Sequence, residues 1–317
     1  MGRASLWEDV REPAILLGAA VVGAFLSVSW PEAIPVAKWV IVPLLVVVLF
    51  ALFARVPLER LREAVQDRRY VLAALGLNFG STPILAFLLG NVFLSDVPEL
   101  RIGLFLALLT PCTDWYLIFT HGVRGDVARN LVVLPWNALL QVVLLPVYLW
   151  LFTSAWLPVD IGEIGRSVLL FVGLPAVAAQ LVRRHWGERP AWDRMGLAAL
   201  GLVIVAMFAS HGHLVREHSM LFLRLAPPLL LFYALALALS WGVARLLRFP
   251  RERFLALACT TMARNSPLML PLAVALFPGH PIIALSQVIE PMVELPSLIL
   301  FSAIVRWRAA RAGMCRA

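Results

Sequence analysis

Twice in this chain, an apolar run long enough to cross a bilayer is broken by a short knot of polar residues and proline. The first knot is Thr110-Pro111-Cys112-Thr113-Asp114, inside the run Arg101–His121. The second is Arg264-Asn265-Ser266-Pro267, inside Phe254–Phe277. Proline removes a backbone donor and clashes one turn back, so a helix through either knot must break or kink. In hydrocarbon, freed backbone groups are tolerated only where they are buried in protein or line a wet cavity. Pro111 and Pro267 lie 156 residues apart, as do Pro135 and Pro291, a shift close to half of the 317 residues. Interrupted spans at matching positions of two halves point to the central site of a carrier.

Composition agrees with a membrane setting. The chain is 61% hydrophobic and 15% charged, more apolar than a soluble domain of this length can hide, which places it among polytopic membrane proteins. A span needs roughly 20 mainly apolar residues. That rule gives about ten: Pro13–Val28, Pro35–Phe53, Tyr70–Leu94, Arg101–His121, Val127–Thr153, Ile164–Val182, Met195–His211, Leu221–Leu247, Phe254–Phe277 and Pro281–Trp307. No soluble domain is expected between them.

The net charge of +8 comes from 27 basic residues, all but Lys38 arginines. Alternating the connectors puts 21 of the 27 on one side, and the positive-inside rule makes that side cytoplasmic, with both termini. The basic balance therefore reads as loop anchoring to the lipid bilayer, not as nucleic-acid binding. An even span count divided by the 156-residue shift leaves five spans per half, and an odd repeat inserts its second copy upside down. The expected fold is an all-α membrane protein, one polytopic domain over 1–317. It comprises two inverted five-helix repeats, approximately 1–158 and 159–317, with broken fourth and ninth helices crossing near the midplane.

Ionisable groups at bilayer depth are costly and mark function by default. Here they are Asp114, Arg264, Glu290 and Glu294, joined by the amides Asn137, Gln141, Asn265 and Gln287. Glu290 and Glu294, spaced i, i+4, share a helix face. Like charges so close favour a held proton or a cation between them, which suits proton or sodium coupling. The bland alternative is a fixed ion pair between one of them and Arg264. Asp114 fits a cation or proton site, or a cap for the second half-helix. Arg264 fits an anionic substrate, or internal balance for Asp114 and Glu290.

Cys112 follows Pro111 at the break. Its thiolate is a soft ligand, suited to soft acceptors such as trivalent arsenic; as a bare apolar-helix cysteine it is a small hydrophobe. Asn137 and Gln141 put two amides on one face, suited to an uncharged hydroxylated solute or a dehydrated sodium ion. Cys259 reads as packing, and His211, His213 and His218 as an external loop. The sequence holds no nucleotide-binding glycine loop and no hydrolase or metalloprotease pattern, so neither an ATP-driven pump nor an enzyme is expected, and no cofactor or resident metal.

At these residues the chain resembles the bile acid:sodium symporter superfamily and, within it, the arsenite-efflux permeases of arsenical resistance. Gly103 to Asp126 resembles the family's fourth helix, with its cysteine on Cys112 and its closing Gly-Asp on Gly125 and Asp126. Asn137-Ala-Leu-Leu-Gln141 is similar to the family's Asn-x-x-x-Gln, and Asn265 with its following Ala-Val-Ala run to part of the ninth-helix motif. Pro291-Met-Val-Glu294-Leu-Pro296 resembles the tenth-helix Pro-x-Val-Glu-Val-Pro, placing the functional glutamate on Glu294. The chain departs from the pattern at Phe119-Thr120, at Arg264-Asn265-Ser266-Pro267, and in the extra charges Asp114 and Glu290. The resemblance implies a secondary transporter of the cytoplasmic membrane that extrudes arsenite, or a related metalloid, by proton antiport. It would use Cys112, Asn137, Gln141 and Asn265 for substrate and Glu294, Glu290, Asp114 and Arg264 for ion coupling. The alternative it implies is a sodium-coupled symporter of a small organic anion, with Arg264 facing the substrate carboxylate.

Overall fold

The structure is a computed structural model that describes residues 4–30, 32, 34–56, 58, 67–113, 115–153, 161–187, 189–217 and 219–311. These residues are almost entirely helical. In order they form α1 (Ala4–Ser29), α2 (Ile34–Ala54), α3 (Arg68–Leu75), α4 (Thr82–Phe93), α5 (Pro98–Leu109), α6 (Trp115–Gly122), α7 (Val127–Thr153) and α8 (Ile161–Val168). After these come α9 (Leu174–Trp186), α10 (Pro190–Glu217), α11 (Ser219–Leu223), α12 (Ala226–Leu246), α13 (Arg251–Met262), α14 (Ser266–Leu276), α15 (Pro281–Ile289) and α16 (Pro291–Arg311). Wide π-turns at Gly76–Ser81 and Leu169–Gly173 join α3 to α4 and α8 to α9. The described residues contain no β-strand beyond one isolated bridge.

Among the described residues, six helices are long and apolar enough to cross a membrane: Pro35–Ala54, Arg68–Phe93, Val127–Phe152, Pro190–Ser210, Ser219–Leu246 and Pro281–Ala309. The fourth and ninth predicted segments are not among them, because each is two short helices around a break: α5 with α6, and α13 with α14. The exterior is apolar, as lipid requires: Trp39 is 83% exposed and Leu246 81%. The interior carries the polar groups, with Asn78, Asn137, Gln141, Arg264, Gln287, Glu290 and Glu294 all buried. One predicted loop is helix instead. α10 runs on to Glu217, so the backbone of His211 and His213 is helical; the apolar run from Leu197 to Ala209 carries the helix past its hydrophobic limit, and a polar tail continues it. His218 lies outside the described residues.

The helices gather in two neighbourhoods. α1, α2, α9 and α10 pack together, while α5 packs on α15 and α4, α13 on α12, and α14 on α15. Polar contacts tie the helix ends in two separate sets. Asp67 bridges Arg129 at 3.2 Å and Arg253 at 3.1 Å, all three from connectors assigned to the Arg-rich side. Arg224 reaches Asp96 at 2.6 Å and His280 reaches Glu99 at 2.5 Å, all from the other side. The Arg224 hydrogen bonds hold the Asp96 carboxyl below its ordinary range.

Two of the glycines that close approach requires lie on the broken segments and their loops. A Cβ on Gly125 would meet the Ala256 backbone nitrogen at 3.1 Å, where the loop after α6 touches α13. A Cβ on Gly103 would meet Ser286 Cβ at 2.6 Å, where α5 lies flat against α15. Gly103→Ala should therefore force the two helices apart and cost about 1–3 kcal/mol. Thermal unfolding in detergent measures this, and Ser286→Gly in the same chain should restore most of the loss.

Candidate functional site

The two breaks cross each other and pair. Thr110 ends α5 in extended conformation (φ −111°, ψ 135°), as expected of a residue held before proline. Ala263 does the same for α13 (φ −74°, ψ 132°). Pro111 lies opposite Arg264 in an antiparallel bridge. Its two hydrogen bonds run from Cys112 N to Ala263 O and from Asn265 N to Thr110 O, both 3.0 Å. In this register the opposed residues themselves exchange no hydrogen bonds, so the donor that Pro111 lacks is not needed. The prolines also differ in role. Pro111 sits in the break, while Pro267 sits in the first turn of α14, where a missing N–H costs nothing.

At that rung Arg264 does have an N–H, and Glu294 Oε1 accepts it at 2.8 Å. The carboxylate thus sits on the second break one residue from Ala263, whose carbonyl holds Cys112. Cys112 itself is 8% exposed. Glu290, at the joint between α15 and α16, accepts from Tyr233 Oη and, at 2.5 Å, from Ser266 Oγ. The two acids are thus both buried but bound to different partners.

The Arg264 guanidinium is taken up by neutral oxygens. Nη1 donates to Thr82 Oγ1 and Leu108 O, each at 3.3 Å. Nη2 donates to Asn78 Oδ1 at 3.4 Å, to Thr260 O at 3.3 Å and to Thr261 O. Phe232 presents its ring face 5.5 Å from the guanidinium carbon. Leu108, Thr260 and Thr261 belong to the last turns of α5 and α13, whose carbonyls have no helical partner and carry the negative end of the dipole. Among the described residues Arg264 makes no ion pair with Glu290 or Glu294, so its contacts are not those of a fixed salt bridge.

Amides surround this centre. Asn137 Oδ1 accepts from Asn78 Nδ2 at 3.2 Å and its Nδ2 reaches Thr260 Oγ1 at 3.4 Å. Gln141, one turn further along α7, is 1% exposed, and neither end of its amide has a partner among the described residues. The same holds for Thr110 Oγ1, Thr113 Oγ1 and Asn265 Nδ2. Asn265 Oδ1 caps α14 by accepting from Leu268 N at 3.3 Å. Gln287 donates to Gly103 O at 2.9 Å, packing α15 on α5. Asp114 lies outside the described residues.

Several residues at the centre carry no signal that the sequence reading used. Asn78 and Thr82 lie in and beside the first π-turn, and Thr260, Thr261 and Tyr233 look like ordinary members of apolar runs. A lone Asn between Gly76 and Gly80 within a spanning segment was the available clue for Asn78.

Residues 42–218 match the family described as Sodium Bile acid symporter family. The chain is 25% identical over 312 residues to the Arsenical-resistance protein Acr3 of Corynebacterium glutamicum, covering 92% of this chain and 81% of that one. It is 22% identical over 314 residues to the Arsenical-resistance protein Acr3 of Alkaliphilus metalliredigens, covering 90% and 87%. It is also 24% identical over 264 residues to the Bacillus subtilis protein named Uncharacterized sodium-dependent transporter YocS, covering 81% and 80%.

Asn78→Ala would remove one acceptor of Arg264 and one donor to Asn137 in a buried setting. A loss of about 1–3 kcal/mol is expected in detergent unfolding, and Asn78→Leu should fare no better, since it leaves the same groups unpaired.

Proposed function

The chain belongs to the Sodium Bile acid symporter family, and from that premise we propose that this multi-pass transporter extrudes arsenite, or a closely related trivalent metalloid, from the cytoplasm in exchange for protons. The observation that carries the reading is that one peptide unit of the second break meets both Cys112 and Glu294: the Ala263 carbonyl accepts from Cys112 N and the Arg264 N–H donates to Glu294 Oε1. The naming of two full-length relatives for arsenical resistance supports it.

The chemistry is direct. Arsenous acid is an uncharged trihydroxy compound, and the buried groups of Gln141, Thr110, Thr113 and Asn265 that have no partner among the described residues offer both donors and acceptors for hydroxyls. The Cys112 thiol replaces one hydroxyl: the sulfur–arsenic bond forms, the arsenic–oxygen bond breaks, and the thiol proton leaves with that hydroxide as water. Release reverses the exchange. Glu294 carries the coupled proton, with Glu290 and Arg264 setting the charge around it and Asn137 orienting the amide cluster; the sequence adds Asp114 to the ion-coupling set.

The topology that serves this reading is two inverted halves, approximately 1–158 and 159–317, with both termini in the cytoplasm and ten spans in the cytoplasmic membrane. In support, α5 and α13 are both twelve residues long and begin 153 residues apart, and α7 and α15 begin 154 apart. The sodium-coupled organic-anion reading needs Arg264 free to face a carboxylate. Its guanidinium already serves five neutral oxygens, which counts against that role.

Cells expressing Cys112→Ala should fall to the arsenite sensitivity of the untransformed host; resistance equal to the parent would remove Cys112 from the mechanism. Glu294→Gln keeps an oxygen able to accept from Arg264 N, so the fold should hold. Its everted vesicles should show no arsenite accumulation driven by a proton gradient, and undiminished accumulation would dismiss the coupling role.

A further inference from the structure

We propose that Arg264 is a tethered monovalent cation: its guanidinium fills an oxygen cage built where the two broken helices end, so that no metal cation binds at the crossing. The inference rests on the transporter reading only in taking the crossing as the transport site, and it names how that site is charged.

The cage has the donor set of an alkali-cation site. Three ligands are main-chain carbonyls, of Leu108, Thr260 and Thr261, one is the Thr82 hydroxyl and one the Asn78 amide oxygen. Hard cations take such oxygens, and cages of neutral carbonyls hold ions of single charge. Two helix C-termini converge on the same point, so the field there is negative before any side-chain carboxylate is counted. All five ligand residues are fully buried. They come from three different segments of the chain, around residues 78–82, 108 and 260–261, whose mutual approach leaves carbonyl oxygens that only a cation or a multiple donor satisfies. Arginine supplies the charge and five fixed N–H donors in one side chain. Its Nε has no partner among the described residues, so the fork is aimed at the cage, at the expense of its own third donor site.

The alternative is that the cage has no cation affinity of its own and Arg264 is an ordinary buried plug. Removing the guanidinium separates the two. Purified wild type, Arg264→Ala and Arg264→Lys would be unfolded thermally in lithium, sodium, potassium or choline chloride at equal ionic strength. Wild type and Arg264→Lys should show no alkali-specific stabilisation. Arg264→Ala should melt lower in choline and gain roughly 2–4 °C, saturably, with one alkali cation. A saturable sodium or potassium response in wild type would overturn the proposal, as would a folded Arg264→Ala blind to every cation. If Arg264→Ala does not fold, Arg264→Gln takes its place: a saturable alkali-specific gain supports the cage, and a folded Arg264→Gln blind to every cation overturns it. These readouts need no substrate. Absence of arsenite transport would therefore sink the functional reading while leaving this one standing, and the reverse outcome would do the opposite.

Discussion

Two hydrogen bonds between main chains hold the centre of this molecule. A break in a membrane helix leaves donors and acceptors that lipid cannot satisfy, and here each break satisfies the other: Cys112 N on Ala263 O, Asn265 N on Thr110 O. The pairing fixes the height, angle and register at which α5 meets α13, and the thiol, amides and acids follow from that placement.

What the pairing leaves over, side chains complete. Carbonyls in the last turns of α5 and α13 go to the guanidinium of Arg264, the Leu268 N–H in the first turn of α14 to the Asn265 cap, and the spare N–H at the bridge to Glu294. Each of these side chains is buried and polar, and each answers an orphan created by the break. A buried arginine beside two buried glutamates is expensive in isolation. Its cost is offset because the groups it meets are helix ends already carrying partial negative charge.

How much of this was legible beforehand follows from physics. The breaks were legible because Pro111 stands in an otherwise unbroken apolar run, and proline's effect is local. The membrane class and the segment order were legible because lipid forces runs of fixed length. The backbone pairing was not: nothing in the spacing of the prolines says that Pro111 faces Arg264, with Pro267 already in the helix that follows the second break. The partners of Arg264 were hidden for another reason. Asn78, Thr82 and Thr260 are reached only through tertiary contacts, and a π-turn, which sets Asn78 against Thr260 and Asn137, leaves no periodic trace. The pairing of an acid with a main-chain N–H, where opposite charges suggested a salt bridge, likewise depends on backbone direction that composition does not encode.

Proline at the bridge makes the crossing chemically one-sided. Of the two facing residues only Arg264 offers a main-chain hydrogen, so only the strand from the second half can recruit an acid. A carboxyl group that lends its oxygen to that hydrogen is mechanically joined to the main chain of the opposite strand through the neighbouring Ala263 carbonyl. Any event that withdraws the oxygen therefore loosens a backbone clasp shared by both halves, and does so from one direction alone.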